Sequence, residues 1–147
     1  MIEIKRCLSL SPIEMDQWIA LMAQLYSDDI ELSMHHINQL LNHPTTQLFI
    51  ATNENKIIGS VILAWYPVAN GDHGWIEDVI VDARHRGLQI GKSLVSHVIE
   101  EAKIIGLKHL NLTSRPERIE ANKLYQSLGF KQRDTNIYRL LLDRIKN

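Results

Sequence analysis

The sequence predicts an α/β fold, a mixed central sheet flanked by helices on both faces. Three observations predict it. Strand-like runs alternate with stretches of helical apolar spacing, in the order β-α-α-β-β-β-α-β-α-β-β. Two late helical stretches stop at glycines, Gly106 and Gly129, and each is followed at once by a strand-like run. A length of 147 residues with 45% hydrophobic composition suits one self-sufficient core, so residues 1–147 read as a single domain.

Ile2 to Cys7 mixes apolar and charged residues and reads as a first strand. Ser11-Pro12 combines an N-cap with proline in the first helical position. Ile13, Trp18, Ile19, Leu21, Met22 and Leu25 then supply a helical stripe. A second helix is expected over Ser33 to Asn42, stopping before His43-Pro44. Gln47 to Thr52 and Lys56 to Tyr66 read as a β-hairpin around the polar turn Asn53-Glu54-Asn55. Pro67 to Gly74 reads as a loop and Trp75 to Asp82 as a strand. A basic turn over Arg84 to Gly91 leads into a helix expected over Lys92 to Ile105. Lys108 to Thr113 is a strand and Glu117 to Leu128 a helix. Phe130 to Gln132 and Ile137 to Leu142 are expected as closing strands.

Charge and composition exclude several functions. A net charge of −1 and the lack of an aromatic-basic stripe argue against nucleic acid. The longest apolar stretch, Ile57 to Ala69, is broken by Gly59, Ser60 and Pro67 and is too short to span a bilayer, so no membrane partner is expected. The first six residues mix charge with apolar side chains and show no signal-peptide core. Cys7 is the single cysteine, which excludes an internal disulfide. A cytoplasmic protein is expected. His35 and His36 are adjacent and cannot both face one ion from a helix, and no H-x-x-x-H pair occurs, so no metal is expected.

The chemistry-bearing stretch is Trp75 to Ile105. A Val/Ile-rich strand runs into Arg84-His85-Arg86-Gly87-Leu88-Gln89-Ile90-Gly91-Lys92 and then a helix. Backbone N–H groups at a helix start lack partners, and with the helix dipole they form an anion site. Glycines remove the Cβ atoms that would hold a phosphate away, while Arg84, Arg86 and Lys92 add positive charge. A pyrophosphate is the natural guest. Gly87 and Gly91 stand too close for a Walker loop, and G-x-G-x-x-G is absent.

These residues resemble the GNAT N-acetyltransferases, whose acyl-CoA loop is R/Q-x-x-G-x-G/A after a strand carrying V-x-V. Here Val79-Ile80-Val81 precedes Arg86-Gly87-Leu88-Gln89-Ile90-Gly91, with Gln89 standing where that family usually has glycine. A second block, Ala121-Asn122-Lys123-Leu124-Tyr125-Gln126-Ser127-Leu128-Gly129-Phe130, is similar to its A-x-x-L-Y-x-x-x-G-F signature, with Arg118 at a position where the family often has Asn. Arg118, Ala121, Asn122 and Tyr125 also fall on one helix face by spacing. The resemblance implies a mostly antiparallel sheet and acetyl-CoA as co-substrate, bound by Val79, Ile80, Val81, Arg86, Gly87, Leu88, Gln89, Ile90, Gly91, Lys92 and Asn122. It also implies a small-molecule or peptide amine as acceptor, and a homodimer is compatible with it.

The implied chemistry is amine acetylation. Tyr125 is the expected proton donor to the leaving thiolate. A backbone N–H near Val79, at the strand bulge of the family, would serve the carbonyl oxygen. Glu77 is the favoured base, acting through water, on a face expected to hold Trp75, Val79 and Val81; Asp78 is the reserve. His73 is a further candidate, Trp65, Tyr66 and Trp75 are candidate pocket walls, and Asp28, Asp29, Glu31 and Asp72 are candidate attractors for a cationic amine. The alternative is a non-catalytic acyl-CoA-binding or regulatory protein of the same fold.

Overall fold

The computed structural model describes residues 1–26 and 31–142, so Asp28 and Asp29 lie outside the described residues. The chain forms two compact units, Met1–Arg115 and Pro116–Asn147. The first holds a five-stranded sheet whose strands lie side by side in chain order. These are β1 (Ile2–Cys7), β2 (Thr46–Asn53), β3 (Lys56–Val68), β4 (Gly71–Val81) and β5 (Leu110–Asn111). The first four are antiparallel, whereas β5 runs parallel to β4. A parallel neighbour requires a crossover, supplied here by the helix α3 (Ile90–Ile105). The sheet is therefore mixed and mostly antiparallel, as expected.

Helices cover both faces. α1 (Pro12–Leu25) and α2 (Met34–Asn42) bury Met15, Trp18, Leu21, Met22, Ile37 and Leu41 in one cluster with Cys7, Leu48, Ile50, Ile57, Ile62 and Ile80. α1 starts where Ser11-Pro12 places it. The Ser11 hydroxyl accepts from the Glu14 N–H at 3.2 Å, and Glu14 Oε1 accepts from the Ser11 N–H at 3.0 Å, a reciprocal capping box. The opposite face carries α3, which buries Leu94, Val95 and Val98 completely. Gly59 permits this contact, since a Cβ there would lie 3.0 Å from Leu94 Cδ1.

Several expected boundaries move. Pro67 to Gly74 is mostly ladder, because β3 and β4 pair out to Pro67↔Asp72 and Val68↔Gly71. Proline is tolerated for a directional reason. The Trp65 N–H donates toward β2, to Thr45 C=O at 3.0 Å. Two residues on, a donor at Pro67 would point the same way, past the end of β2, where no ladder bond is lost. α3 begins at Ile90 rather than Lys92, with Ile90 buried as its first apolar anchor.

The strand expected over Lys108 to Thr113 is reduced to Leu110–Asn111. The second unit contains α4 (Ile119–Ser127), inside the expected Glu117 to Leu128. Phe130 to Gln132 and Ile137 to Leu142 are not strands, which corrects the expected order at its end. Ile137, Tyr138, Leu140, Leu141 and Leu142 are all exposed. Their pattern suits a half-buried strand, but a strand needs a neighbour for its backbone donors and acceptors, and none of the described residues supplies one. No helix among the described residues is long and apolar enough to cross a membrane.

Candidate active site

The site begins with an irregularity in β4. Ser60 pairs with Ile80, and Ile62 pairs with Glu77. Asp78 and Val79 therefore stand together opposite Val61, which is a β-bulge. Asp78 adopts a left-handed φ of 50°, the conformation that opens such a bulge and that aspartate tolerates better than most residues. Backbone polar groups at this step are left out of the ladder.

The bulge also resets the faces of the strand. Glu77 shares its face with Trp75 and with Ile80, the partners of Ile62, Ala64 and Ser60. Val81 pairs with Gly59 and lies on the other face, and Val79 sits in the bulge, so the expected grouping of Glu77 with Val79 and Val81 is corrected. Strict alternation fails because one inserted residue reverses every side chain beyond it.

Beyond the bulge β4 has an open edge. β5 pairs with it only at Gly74↔Leu110 and Trp75↔Asn111. From Ile76 to Val81 the edge facing β5 has no ladder partner among the described residues. An amide-bearing chain can pair there as an added strand. Ile80 turns its side chain into the core and offers only backbone, while Val79 and Val81 are half-buried.

The strand then enters the basic turn. A 3-10 turn over Ala83–His85 leads to Arg86, Gly87 with φ 84°, and Gln89 with φ 61°, the residue before α3. A Cβ at Gly87 would meet nothing within 4 Å, so the space above it is open. The first bond of α3 runs from the Ser93 N–H to Gln89 C=O at 3.1 Å. The backbone N–H groups of Arg86 through Lys92 donate to none of the described residues. Arg86, Leu88, Gln89 and Lys92 are exposed, Gly91 is half-buried, and Ile90 contributes its backbone alone. A run of free donors, a missing Cβ and flanking cations match the needs of a diphosphate such as that of coenzyme A.

The carboxylates of β4 differ in their surroundings. Glu77 is solvent-exposed, yet the protein around it removes enough hydration to raise its pKa, and the neighbouring Asp78 charge raises it further. Asp78 is engaged, since its Oδ1 accepts a 2.5 Å hydrogen bond from the Tyr26 hydroxyl, which follows the last turn of α1. Burial, then that bond and the Asp78 charge, push the Tyr26 phenol well above its ordinary range.

Asp82, at the end of the strand, is buried and accepts from Gln24 Nε2 at 2.8 Å. It also pairs with His85 Nδ1 at 2.7 Å and Arg84 Nε at 3.7 Å. The Ala83 N–H donates to Gln24 Oε1 at 2.9 Å. Hydrogen bonds from Gln24 and His85 hold the Asp82 carboxyl below its usual range. Tyr26, Gln24, Asp82 and His85 escaped the sequence analysis.

On the same face as Glu77, Trp75 Nε1 donates to Tyr66 Oη at 3.2 Å, and the His73 ring lies tilted against Tyr66 at 5.9 Å and edge-on to His109 at 4.8 Å. In the second unit Tyr125 is buried, its ring edge-on to Phe130 at 6.0 Å. Burial raises its pKa, and the Arg118 charge partly opposes that. Asn122 Nδ2 donates to Arg118 C=O at 2.8 Å, tying it to the start of α4. The described residues contain no cluster of three or more potential metal ligands.

Known proteins are similar to this chain in sequence and fold. The model of the acetyltransferase (GNAT) family matches residues 10–130. N-acetyltransferase 8B of Homo sapiens is 30% identical over 94 residues, 63% of this chain and 41% of that protein. N-acetylaspartate synthetase of Xenopus tropicalis is 29% identical over 109 residues, 73% of this chain and 37% of that protein. The chain thus spans about two fifths of the length of these two relatives. An aminoglycoside acetyltransferase from an uncultured soil metagenomic sample has the same fold, with a TM-score of 0.82 at 20% identity over 96% of this chain and 97% of that one. A match whose span, residues 10–130, takes in the bulged strand, the basic turn and the tyrosine helix establishes membership: this chain belongs to the GNAT family of acetyltransferases, which take their acetyl group from acetyl-CoA.

Proposed function

We propose that the protein is an N-acetyltransferase that moves the acetyl group of acetyl-CoA to a primary amine of a small molecule or peptide by direct attack on the thioester. One observation carries this reading: the bulged edge of β4, open among the described residues, runs straight into a turn at the start of α3 whose N–H donors have no partner among them. Residues 1–147 are proposed to act as one acyltransferase domain, a reading supported by a family match that extends into both compact units; a cytoplasmic location is part of the same proposal.

The bound acetyl-CoA supplies an electrophilic thioester carbonyl. The N–H groups of Arg86 through Gly91, with the Arg86 and Lys92 side chains, hold the diphosphate. The free edge over Val79, Ile80 and Val81 aligns the pantetheine amides, and Asn122 is a further proposed contact. The Val79 N–H donates to the carbonyl oxygen as negative charge develops on it. Glu77, through water, takes a proton from the incoming ammonium so that the nitrogen lone pair can attack; its raised pKa makes it a stronger base than an ordinary carboxylate. Asp78 is already committed to Tyr26, which favours Glu77 over it. As the carbon–sulfur bond breaks, Tyr125 gives its hydroxyl proton to the sulfur, and the surplus proton that the nitrogen sheds to water as the amide forms is balanced by reprotonation of the phenolate. A tyrosine phenol carries its proton at neutral pH, and the upward shift of Tyr125 does not change that.

Calorimetric titration with acetyl-CoA, followed by an amine panel with thiol detection, tests this. Binding with amine-dependent release of coenzyme A is expected. Tyr125→Phe should lower kcat about a hundredfold, a typical loss for an acid catalyst, and leave the acetyl-CoA dissociation constant nearly unchanged. Absence of binding at millimolar ligand defeats the proposal. Tight binding with no release for any amine favours a non-catalytic acyl-CoA-binding role, which the Gln89 and Arg118 departures motivate.

A further inference from the structure

The C-terminal end of α1 and the residue that follows it reach β4 at two places, one at the bulge proposed to meet the thioester and one just past the strand, where the basic turn begins. Tyr26 and Asp78 are 52 residues apart in sequence and joined at 2.5 Å. Gln24 and Asp82 are 58 apart and joined at 2.8 Å, and Gln24 returns with its own oxygen to the Ala83 N–H at 2.9 Å. The end of α1 therefore holds the exit of the strand through Gln24 and the bulge through Tyr26, the residue that caps it.

The two grips differ in what they oppose. Asp78 has a left-handed φ, which still costs a residue with a Cβ some strain although aspartate tolerates it better than most. The Tyr26 hydroxyl bonds to that residue's own carboxylate, a charge-assisted and therefore strong contact. Gln24 acts on a segment without strain. It satisfies a buried carboxylate and a backbone N–H where the chain leaves the sheet for the 3-10 turn and the donor-rich loop.

We infer that Tyr26 and Gln24 are positioning residues, Tyr26 holding Asp78 so that the bulge presents the Val79 N–H and Gln24 holding Asp82–Ala83 so that the basic turn starts at a fixed place. The first half rests on the proposed role of Val79 in acetyl transfer. The second requires only that the turn bind acetyl-CoA. Neither side chain touches the reacting atoms, so each acts through the backbone that it fixes.

The two roles separate in a kinetic experiment on the full chain. Tyr26→Phe should lower kcat about tenfold, a fraction of what outright loss of such a donor costs, with the acetyl-CoA dissociation constant unchanged. Gln24→Ala should do the reverse, weakening acetyl-CoA several-fold with a smaller change in kcat. Asp78→Ala should lose as much kcat as Tyr26→Phe, and the double variant no more than either alone, because both remove one grip. Amide NMR gives a readout independent of turnover: the Asp78 and Val79 signals should shift in Tyr26→Phe and stay in place in Gln24→Ala. Unmoved signals in Tyr26→Phe overturn the Tyr26 role whatever the rates. A kcat within about twofold of an active parent overturns it too, as do losses that multiply in the double variant. Unchanged acetyl-CoA affinity in Gln24→Ala overturns the Gln24 role. A parent that binds acetyl-CoA but acetylates no amine defeats the proposed function instead, and the NMR signals still decide the Tyr26 grip.

Discussion

Gly74 stands where β4 and β5 touch before they part, and replacing it with alanine is the sharpest test of that junction. A Cβ there would lie 2.9 Å from the His109 carbonyl oxygen, from Leu107 Cδ1 and from Leu110 Cδ2. Carbon contacts normally settle near ~3.5–4.0 Å, so all three neighbours must retreat by about half an ångström or more. The two leucines can turn, but the carbonyl belongs to the backbone that leads into β5. That strand pairs with β4 only at Gly74↔Leu110 and Trp75↔Asn111, reinforced by Asn111 Nδ2 donating to Gly74 C=O at 3.4 Å. Overpacking of this kind costs about 1–3 kcal/mol. At ~2 kcal/mol the midpoint of urea unfolding falls by about 1 M for a typical slope, and the melting temperature by ~4–8 °C. Denaturation followed by tryptophan fluorescence gives the first number and calorimetry the second. Titration with acetyl-CoA should also show weaker binding, since the edge on which the co-substrate is proposed to lie opens from this junction. A Gly74→Ala protein that melts within about 1 °C of the parent and binds acetyl-CoA as tightly refutes the argument.

Two further perturbations test the turn and its anchor. Gln89→Gly removes a side chain from a left-handed position; relief of strain and loss of backbone entropy nearly cancel, so stability should change by less than about 1 kcal/mol, while acetyl-CoA affinity should rise several-fold in calorimetry. Weaker binding would show that the Gln89 side chain contributes to the site rather than standing clear of it. Asp82→Asn tests pH dependence. The folded-state pKa of Asp82 lies below its unfolded value, so its stabilisation is complete above the ordinary carboxylate range and is lost as pH falls through the folded value. The variant should be less stable than the parent at neutral pH, with the difference shrinking on acidification; a gap in thermal midpoint that stays constant down to pH ~3 contradicts this.

What the sequence disclosed follows from the range over which each feature is encoded. Ser11-Pro12 and Glu14 lie within one turn, so the start of α1 was legible to the residue. The β2–β3 hairpin was legible because two apolar runs flank one short polar turn, Asn53-Glu54-Asn55. Glu77 was assigned to a face correctly with Trp75 and incorrectly with Val81, because alternation predicts only as far as the next bulge. The bulge carries no local signature: Asp-Val in a run of Val and Ile looks like uninterrupted strand. Tyr26 and Gln24 were invisible for a related reason. Their partners lie 52 and 58 residues away, and hydrogen bonds at that distance have no period to detect. Ile137 to Leu142 failed in the opposite direction, since its pattern states a capacity for pairing and says nothing about whether a neighbour exists.

Gln89 shows how a motif can depart in its letters and persist in its conformation. The resemblance places glycine there, and the usual reason for an obligatory glycine is a positive φ or a close approach. Gln89 has a φ of 61°, so the backbone requirement survives the change of residue. What is given up is local. A residue with a Cβ pays some strain in this region, and its side chain must stay clear of the space above the turn; Gln89 is exposed. Gly87, two residues earlier, has a φ of 84° and open space above it. The turn thus keeps its left-handed entry to α3, its row of free N–H donors and one glycine at which a phosphate can approach the main chain closely. The anion site is specified by backbone torsions and donor count, with glycine only their commonest means, so the substitution at Gln89 tunes affinity without removing the function.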